Sequence, residues 1–205
     1  HTTEDLAILI SLPNISVVAP CTAQEAGEAI TAMIKNGGTG YLRLDKTVAK
    51  DCFSEDPFVI GKSRRYKEGK DITLIATGSI LGDANIASVE LKKLGIDARV
   101  VGMHSIKPID VDEIIDAATN TGGIVTIEEH NKDGGLGSAI SEVCMDFGVM
   151  PNKFLRIGLD NKYSSIVGSQ SYLRSRYEMD SKAIINKVKK IFNSWKGLLF
   201  KRWFS

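Results

Sequence analysis

The sequence predicts an α/β protein whose mainly parallel sheet is covered by helices. Three observations carry this expectation. Short apolar runs such as Ile72–Ala76 and Ile124–Ile127 lack the polar alternation of a half-solvated strand, as strands buried on both faces do. Segments with apolar residues at helical spacing alternate with those runs. Capping residues and glycines fall where the two patterns change over.

The elements follow in chain order. Thr3 is placed to cap a helix whose first turn carries Glu4 and Asp5, favourable against the helix dipole. Leu6, Leu9 and Ile10 give that helix an apolar face before Pro13 and Asn14 stop it. Ile15–Ala19 reads as a buried strand. Thr22 and Glu25 form a capping box for a helix with Ala26, Ala29, Ile30 and Met33 on one side, closed by Asn36, Gly37 and Gly38. A strand follows from Gly40 to Asp45. From Lys46 to Asp71 the pattern dissolves into polar residues with Pro57, Gly61 and Gly69, which predicts a linker with one edge strand near Phe58–Ile60. Regularity then resumes with a strand at Ile72–Ala76, a turn at Gly78 and Ser79, and a helix with Ala84, Ala87, Leu91 and Leu94 inward, ended by Gly95. Ile96–Val101 is the next strand. Asp110 and Glu113 cap a helix with Ile114, Ile115 and Ala118; Ile124–Ile127, a glycine-rich turn and another helix follow. Phe154–Ile157 is a further strand, and a last helix starts near Ser181 with Ile184, Val188, Ile191 and Trp195 on one face.

With 205 residues, 43% apolar and 25% charged, the chain is long enough for one large domain or two small ones. A formal net charge of +1 gives no reason to expect nucleic acid as a partner. No apolar run approaches the roughly 20 residues that span a bilayer, and no secretory signal opens the chain. Cys21, Cys52 and Cys144 have no metal-binding spacing, so reduced thiols and a cytoplasmic setting are expected. The abrupt opening at His1 is how a fragment begins.

Phosphate loops, dinucleotide fingerprints, Cys-x-x-Cys pairs and hydrolase elbows are absent from the sequence. Its chemistry-bearing residues gather instead at Glu128, Glu129 and His130, where a strand end meets Gly134, Gly135 and Gly137. This is the strand edge at which open α/β sheets usually work. The triplet could bind substrate, orient a cofactor or meet a partner chain. It could also be a solvated strand end with local pairing, which the residues by themselves favour. The glycines could present N–H groups to an anion or let the turn approach the sheet closely. Arg43 and Lys46 could hold a phosphate, although isolated cations on a sheet rim are mostly solvated. Lys62, Arg64, Arg65 and Lys67 read as an exposed linker face. The tail, with Trp195, Leu198, Leu199, Phe200, Trp203 and Phe204, is more aromatic than a solvated terminus and reads as core or interface packing.

The ordered motifs carry a resemblance over almost the whole chain: His1 to Leu6 with Leu12 to Asn14, Tyr41 to Leu44, Gly69 to Asp71 with Leu74 to Ser79, Gly95 to Val100, Ile106 to Asp110, Thr126 to His130, and Gly134 to Ser138. Together they resemble the C-terminal part of the transketolase family. That family includes transketolase, 1-deoxy-xylulose-5-phosphate synthase and the β chains of 2-oxo acid dehydrogenases. The resemblance implies that residues 1–45 are the C-terminal half of a pyrimidine-binding domain, 46–57 a linker, and 58–205 a complete transketolase C-terminal domain. It implies thiamine diphosphate and Mg2+ in the full enzyme, held mainly by regions outside this chain, because the Gly-Asp-Gly and Asn-Asn anchors are not in the sequence. It therefore assigns no catalytic, cofactor or metal residue here. It places His1, Lys46 and His130 toward the substrate, a sugar phosphate. Lys46 stands near a family arginine that binds phosphate, and lysine keeps the charge while losing the two-pronged geometry. The implied activity is transfer of a two-carbon ketol unit by a homodimer or by assembly with a complementary N-terminal subunit, the chain alone being inactive. Alternatives are a 1-deoxy-xylulose-5-phosphate synthase-type enzyme, or a non-catalytic dimerisation or partner-docking domain.

Overall fold

The computed structural model describes residues 2–49, 51–161 and 163–202, with residues 193–202 as backbone only. A small sheet is built first. Helix α1 (Asp5–Ser11) leads into strand β1 (Ile15–Val18), helix α2 (Ala23–Asn36) and strand β2 (Thr39–Leu42). Strand β3 (Arg64–Lys67) is then followed by β4 (Ile72–Ala76), α3 (Leu81–Lys93), β5 (Ala98–Gly102), β6 (Ser105–Lys107), α4 (Val111–Asn120), β7 (Ile124–Asn131), α5 (Leu136–Asp146), β8 (Phe154–Leu159), α6 (Gln170–Arg176) and α7 (Ser181–Arg202). The large sheet has the order β3-β5-β4-β7-β8. The pairings within β5-β4-β7-β8 are all parallel, and β3 joins antiparallel along β5. The small sheet has the order β2-β1-β6, with β1 parallel to β2 and antiparallel to β6.

Capping explains where helices start. Thr22 accepts the Glu25 N–H at α2, and Asp110 accepts the Glu113 N–H at α4, each satisfying a donor that the helix leaves free. Thr3 does not play that part at α1. The helix opens after Glu4 without a side-chain cap, and the Thr3 hydroxyl donates to the Glu4 carboxylate instead. The wide apolar strands bury both faces. On one side Leu74, Ala76, Val100 and Ile127 pack against Leu81, Leu91, Ile184 and Val188. On the other, Ile75, Val101 and Ile124 pack against Ile114 and Ile140, and Leu6 of α1, Val17 of β1 and the adjoining Ala19 join that same core. The two sheets thus share a hydrophobic core, and β6 is the device that joins them. It leaves β5 and returns to pair Val17 with Lys107.

The edge strand lies at Arg64–Lys67 rather than Phe58–Ile60. Phe58 instead stacks on His104, with ring centroids 4.1 Å apart. The basic residues expected on an exposed linker face are therefore engaged in folding. Arg64 is buried between Glu25 and Glu28, Arg65 pairs with Glu113 and Asp116, and Lys62 reaches Asp112. Beyond β3 the chain must turn hard against β5, since a Cβ on Gly69 would fall on the backbone of Ala98 and Arg99. Backbone cannot step aside as a flexible side chain can, so Gly69→Ala is expected to cost about 1–3 kcal/mol, measured by urea unfolding. An unchanged midpoint would show that the turn relaxes freely.

No helix among the described residues is long and apolar enough to cross a membrane. The side chains of Trp195, Leu198, Leu199, Phe200, Trp203 and Phe204, expected to pack in a core or interface, lie outside the described residues.

Candidate functional site

The C-terminal ends of β4 and β7, the segment after β2, and α6 converge on one polar face. Arg174 on α6 is the hub. Its Nε donates to Glu129 Oε1 at 2.9 Å, Nη2 to Glu129 Oε2 and Ser79 Oγ at 2.7 Å each, and Nη1 to Asp83 at 2.9 Å. Burial opposes the Arg174 charge, and the carboxylates of Glu129 and Asp83 outweigh it, so the guanidinium titrates higher still. Gln170 donates to Glu129 Oε2 at 2.7 Å and accepts from the Thr47 hydroxyl at 2.6 Å. Ser79 donates through its N–H and its hydroxyl to Asp45 Oδ2, at 2.7 and 2.8 Å. Asp45 and Thr47 flank Lys46, which is exposed on the rim.

Arg43 is not free to take a ligand. Its Nε donates to Asp5 at 3.0 Å and its Nη2 to the Glu129 carbonyl at 3.0 Å, while the Tyr41 hydroxyl shares Asp5 at 2.8 Å. These contacts lock α1 and β2 to the end of β7.

The alternating residues Glu128 and His130 face the other way, inside the protein. Glu128 has no exposed surface and accepts from the Leu136 and Gly137 N–H groups at 2.7 and 2.9 Å. The acceptor at the start of α5 is therefore the chain's own carboxyl group, not an external ligand. Burial pushes the Glu128 pKa up to about 7, against the pull of the two N–H groups and the more distant Arg156 and Arg43. His130 is also fully buried. Its Nδ1 lies 2.7 Å from the Asn131 carbonyl, which makes that nitrogen the donor, and Nε2 takes the Ala7 N–H of α1 at 3.4 Å. Burial depresses its pKa, more than the Asn131 carbonyl and Asp5 can restore. The solvated strand end that the residues favoured is thus found for neither. Of the positions placed toward substrate, His1 lies outside the described residues, Lys46 lies on the open face, and His130 lies beneath α1.

Ser79, Gln170 and Arg174 carry no local signal that would have nominated them. The one available hint is that Gly78 and Ser79 follow a buried strand of a parallel sheet, the usual location of working loops. Among the described residues no group of three or more His, Cys, Asp or Glu side chains could hold a metal ion. The acids of this face are occupied by arginines, hydroxyls and backbone N–H groups.

The family described as the transketolase C-terminal domain matches residues 61–184. One of the subunits of an apulose-4-phosphate transketolase from Phocaeicola vulgatus is 33% identical over 186 residues, covering 90% of this chain and 58% of that protein. A 1-deoxy-D-xylulose-5-phosphate synthase of Geobacter metallireducens is 32% identical over 195 residues, covering 92% of this chain and 31% of that protein. A solved structure described as a split-gene transketolase, an inactive β4 tetramer, matches with a TM-score of 0.77 at 33% identity, covering 93% of this chain and 61% of that chain. The chain thus spans little more than half the length of the split transketolase chains it matches, and it belongs to the transketolase family, within the portion that carries the C-terminal domain.

Proposed function

We propose that this chain is the C-terminal portion of a thiamine-diphosphate-dependent enzyme that transfers a two-carbon ketol unit between sugar phosphates. The cofactor and its Mg2+ would be held by the remainder of the family's sequence, on the same chain or on a complementary subunit. The observation that carries this reading is the small sheet. Strand β2 is one of its edges, and α2, the helix that leads into it, leaves Ile34 76% and Ile30 48% exposed. An open strand edge next to apolar helix surface suits a further α/β segment, and the relatives' extra length supplies one. The inactivity stated for the related β4 tetramer agrees with a chain that cannot act alone.

Lys46 is the residue proposed to meet the substrate's phosphate, as a point charge with three donors. His130, which is sealed under α1, would act on the site only by holding that helix. His1 is proposed for the same substrate face by the family resemblance alone. The isolated chain with thiamine diphosphate and Mg2+ is expected to transfer no ketol group from xylulose 5-phosphate, and addition of the complementary diphosphate-binding subunit is expected to restore transfer. Turnover by the chain alone would refute the division of labour.

Identity to the Geobacter metallireducens synthase favours one second reading, a parent that decarboxylates pyruvate as a 1-deoxy-xylulose-5-phosphate synthase does. Carbon dioxide release from pyruvate by the assembled enzyme, without transfer from xylulose 5-phosphate, would select it.

A further inference from the structure

Lys46 has a long flexible stem, so its use as a phosphate ligand depends on what holds its backbone. Both of its neighbours are tied to the large sheet and α6. On one side the Asp45 carboxylate takes two hydrogen bonds from Ser79, at 2.7 and 2.8 Å. On the other the Thr47 hydroxyl donates to Gln170 at 2.6 Å. The two anchors are themselves joined. Gln170 and Arg174 both hold Glu129 Oε2 at 2.7 Å, and Arg174 also holds Ser79 Oγ at 2.7 Å. Gly78, with φ of 74°, makes room for the approach, since a Cβ there would sit 2.7 Å from the Asp45 carboxylate. Ser79 is 2% and Arg174 9% exposed, so the bonds those two side chains make are shielded from competing water, while the Thr47–Gln170 bond lies at the exposed rim.

We propose that Ser79, Gln170 and Arg174 are positioning residues for Lys46, so that α6 and the turn after β4 set the grip on the substrate's phosphate. The inference rests on the proposal that Lys46 meets that phosphate. It adds that the C-terminal domain, through three side chains that touch no substrate, fixes where the ammonium stands. Preorganisation of this kind lowers the ordering cost of each binding event.

The test uses the chain assembled with its complementary subunit and compares phosphorylated with unphosphorylated sugar acceptors. Lys46→Met is expected to raise KM for the phosphorylated acceptor by about 10- to 100-fold, the worth of one charge-assisted hydrogen bond, and to leave the unphosphorylated acceptor unchanged. Gln170→Ala and Ser79→Ala are each expected to raise the same KM by about 3- to 10-fold with kcat within about twofold, and to add nothing in the Lys46→Met background. An unchanged KM in Lys46→Met defeats the phosphate-contact reading, and the present proposal with it. A large effect of Lys46→Met together with no effect of Gln170→Ala and Ser79→Ala defeats the positioning role alone. So does an equal effect of those two variants with and without Lys46, or on both kinds of acceptor.

Discussion

Replacing Glu25 with alanine is expected to lower the unfolding free energy by about 3–5 kcal/mol, the usual cost of breaking a buried charged network by removing one partner. Glu25 has no exposed surface. Its Oε2 accepts the Cys21 N–H at 2.7 Å and its Oε1 accepts the Tyr66 hydroxyl at 2.8 Å. The same oxygen lies 3.7 Å from the Arg64 guanidinium and 3.3 Å from His104 Nδ1, the latter approach falling outside hydrogen-bond geometry. Burial alone would raise this carboxyl, yet His104, the Cys21 N–H and Tyr66 together leave its pKa below the ordinary value. A depressed folded pKa gives stability that is present above the unfolded value of 4.5 and is lost as the pH falls through the folded one. The alanine variant should therefore lose less than the parent on acidification, besides starting lower. Glu25→Gln keeps one acceptor and should cost about 1–3 kcal/mol. Urea titrations at pH 7 and pH 4 read both effects, and a loss under about 1 kcal/mol for the alanine variant would show the network to be dispensable.

The second large effect belongs to Glu128. Truncation to alanine strands the buried Leu136 and Gly137 N–H groups, each worth about 1–3 kcal/mol when left unpaired, so a loss of about 2–5 kcal/mol is expected at pH 5. Here the pH dependence has the opposite sign to that of Glu25. The folded pKa of about 7 stands above the unfolded 4.5, so the group's contribution is complete below pH 4.5 and fades as the pH rises through 7. The gap between parent and variant should accordingly narrow between pH 5 and pH 8. His130, with its Nδ1 3.9 Å from Glu128 and its pKa lowered, works in the reverse direction but is present in both proteins. A gap that stays constant from pH 5 to pH 8 would mean that the carboxylate is held charged throughout.

These two residues also mark how far local pattern reaches. Thr22 and Asp110 announce their helices because a cap acts within a few residues, and the apolar runs at Ile72 and Ile124 announce parallel strands because burial on both faces leaves no polar alternation. Strand β3 hides because its residues, Arg64 to Lys67, are all charged or phenolic; what makes them a strand is pairing with β5 and with carboxylates distant in sequence. Strand β6 is short, and its partner β1 lies far toward the other end of the chain. The polar face failed to show for the same reason. Ser79 and Arg174, which share a 2.7 Å hydrogen bond, sit on segments that only the folded sheet brings together. Glu128 and His130 drew notice as functional candidates because charged groups at a strand end usually meet solvent, and only the α5 and α1 backbones reveal that both are satisfied inside.

The return of β6 to β1 has a consequence for biosynthesis. Val17 cannot find Lys107 until the intervening chain has left the ribosome, so β1 waits, half-zipped, for a clasp made much later. Once closed, that clasp outlasts a cut: a protease that nicks the stretch around Asp51 to Pro57 should leave two polypeptides that still travel together through a sizing column.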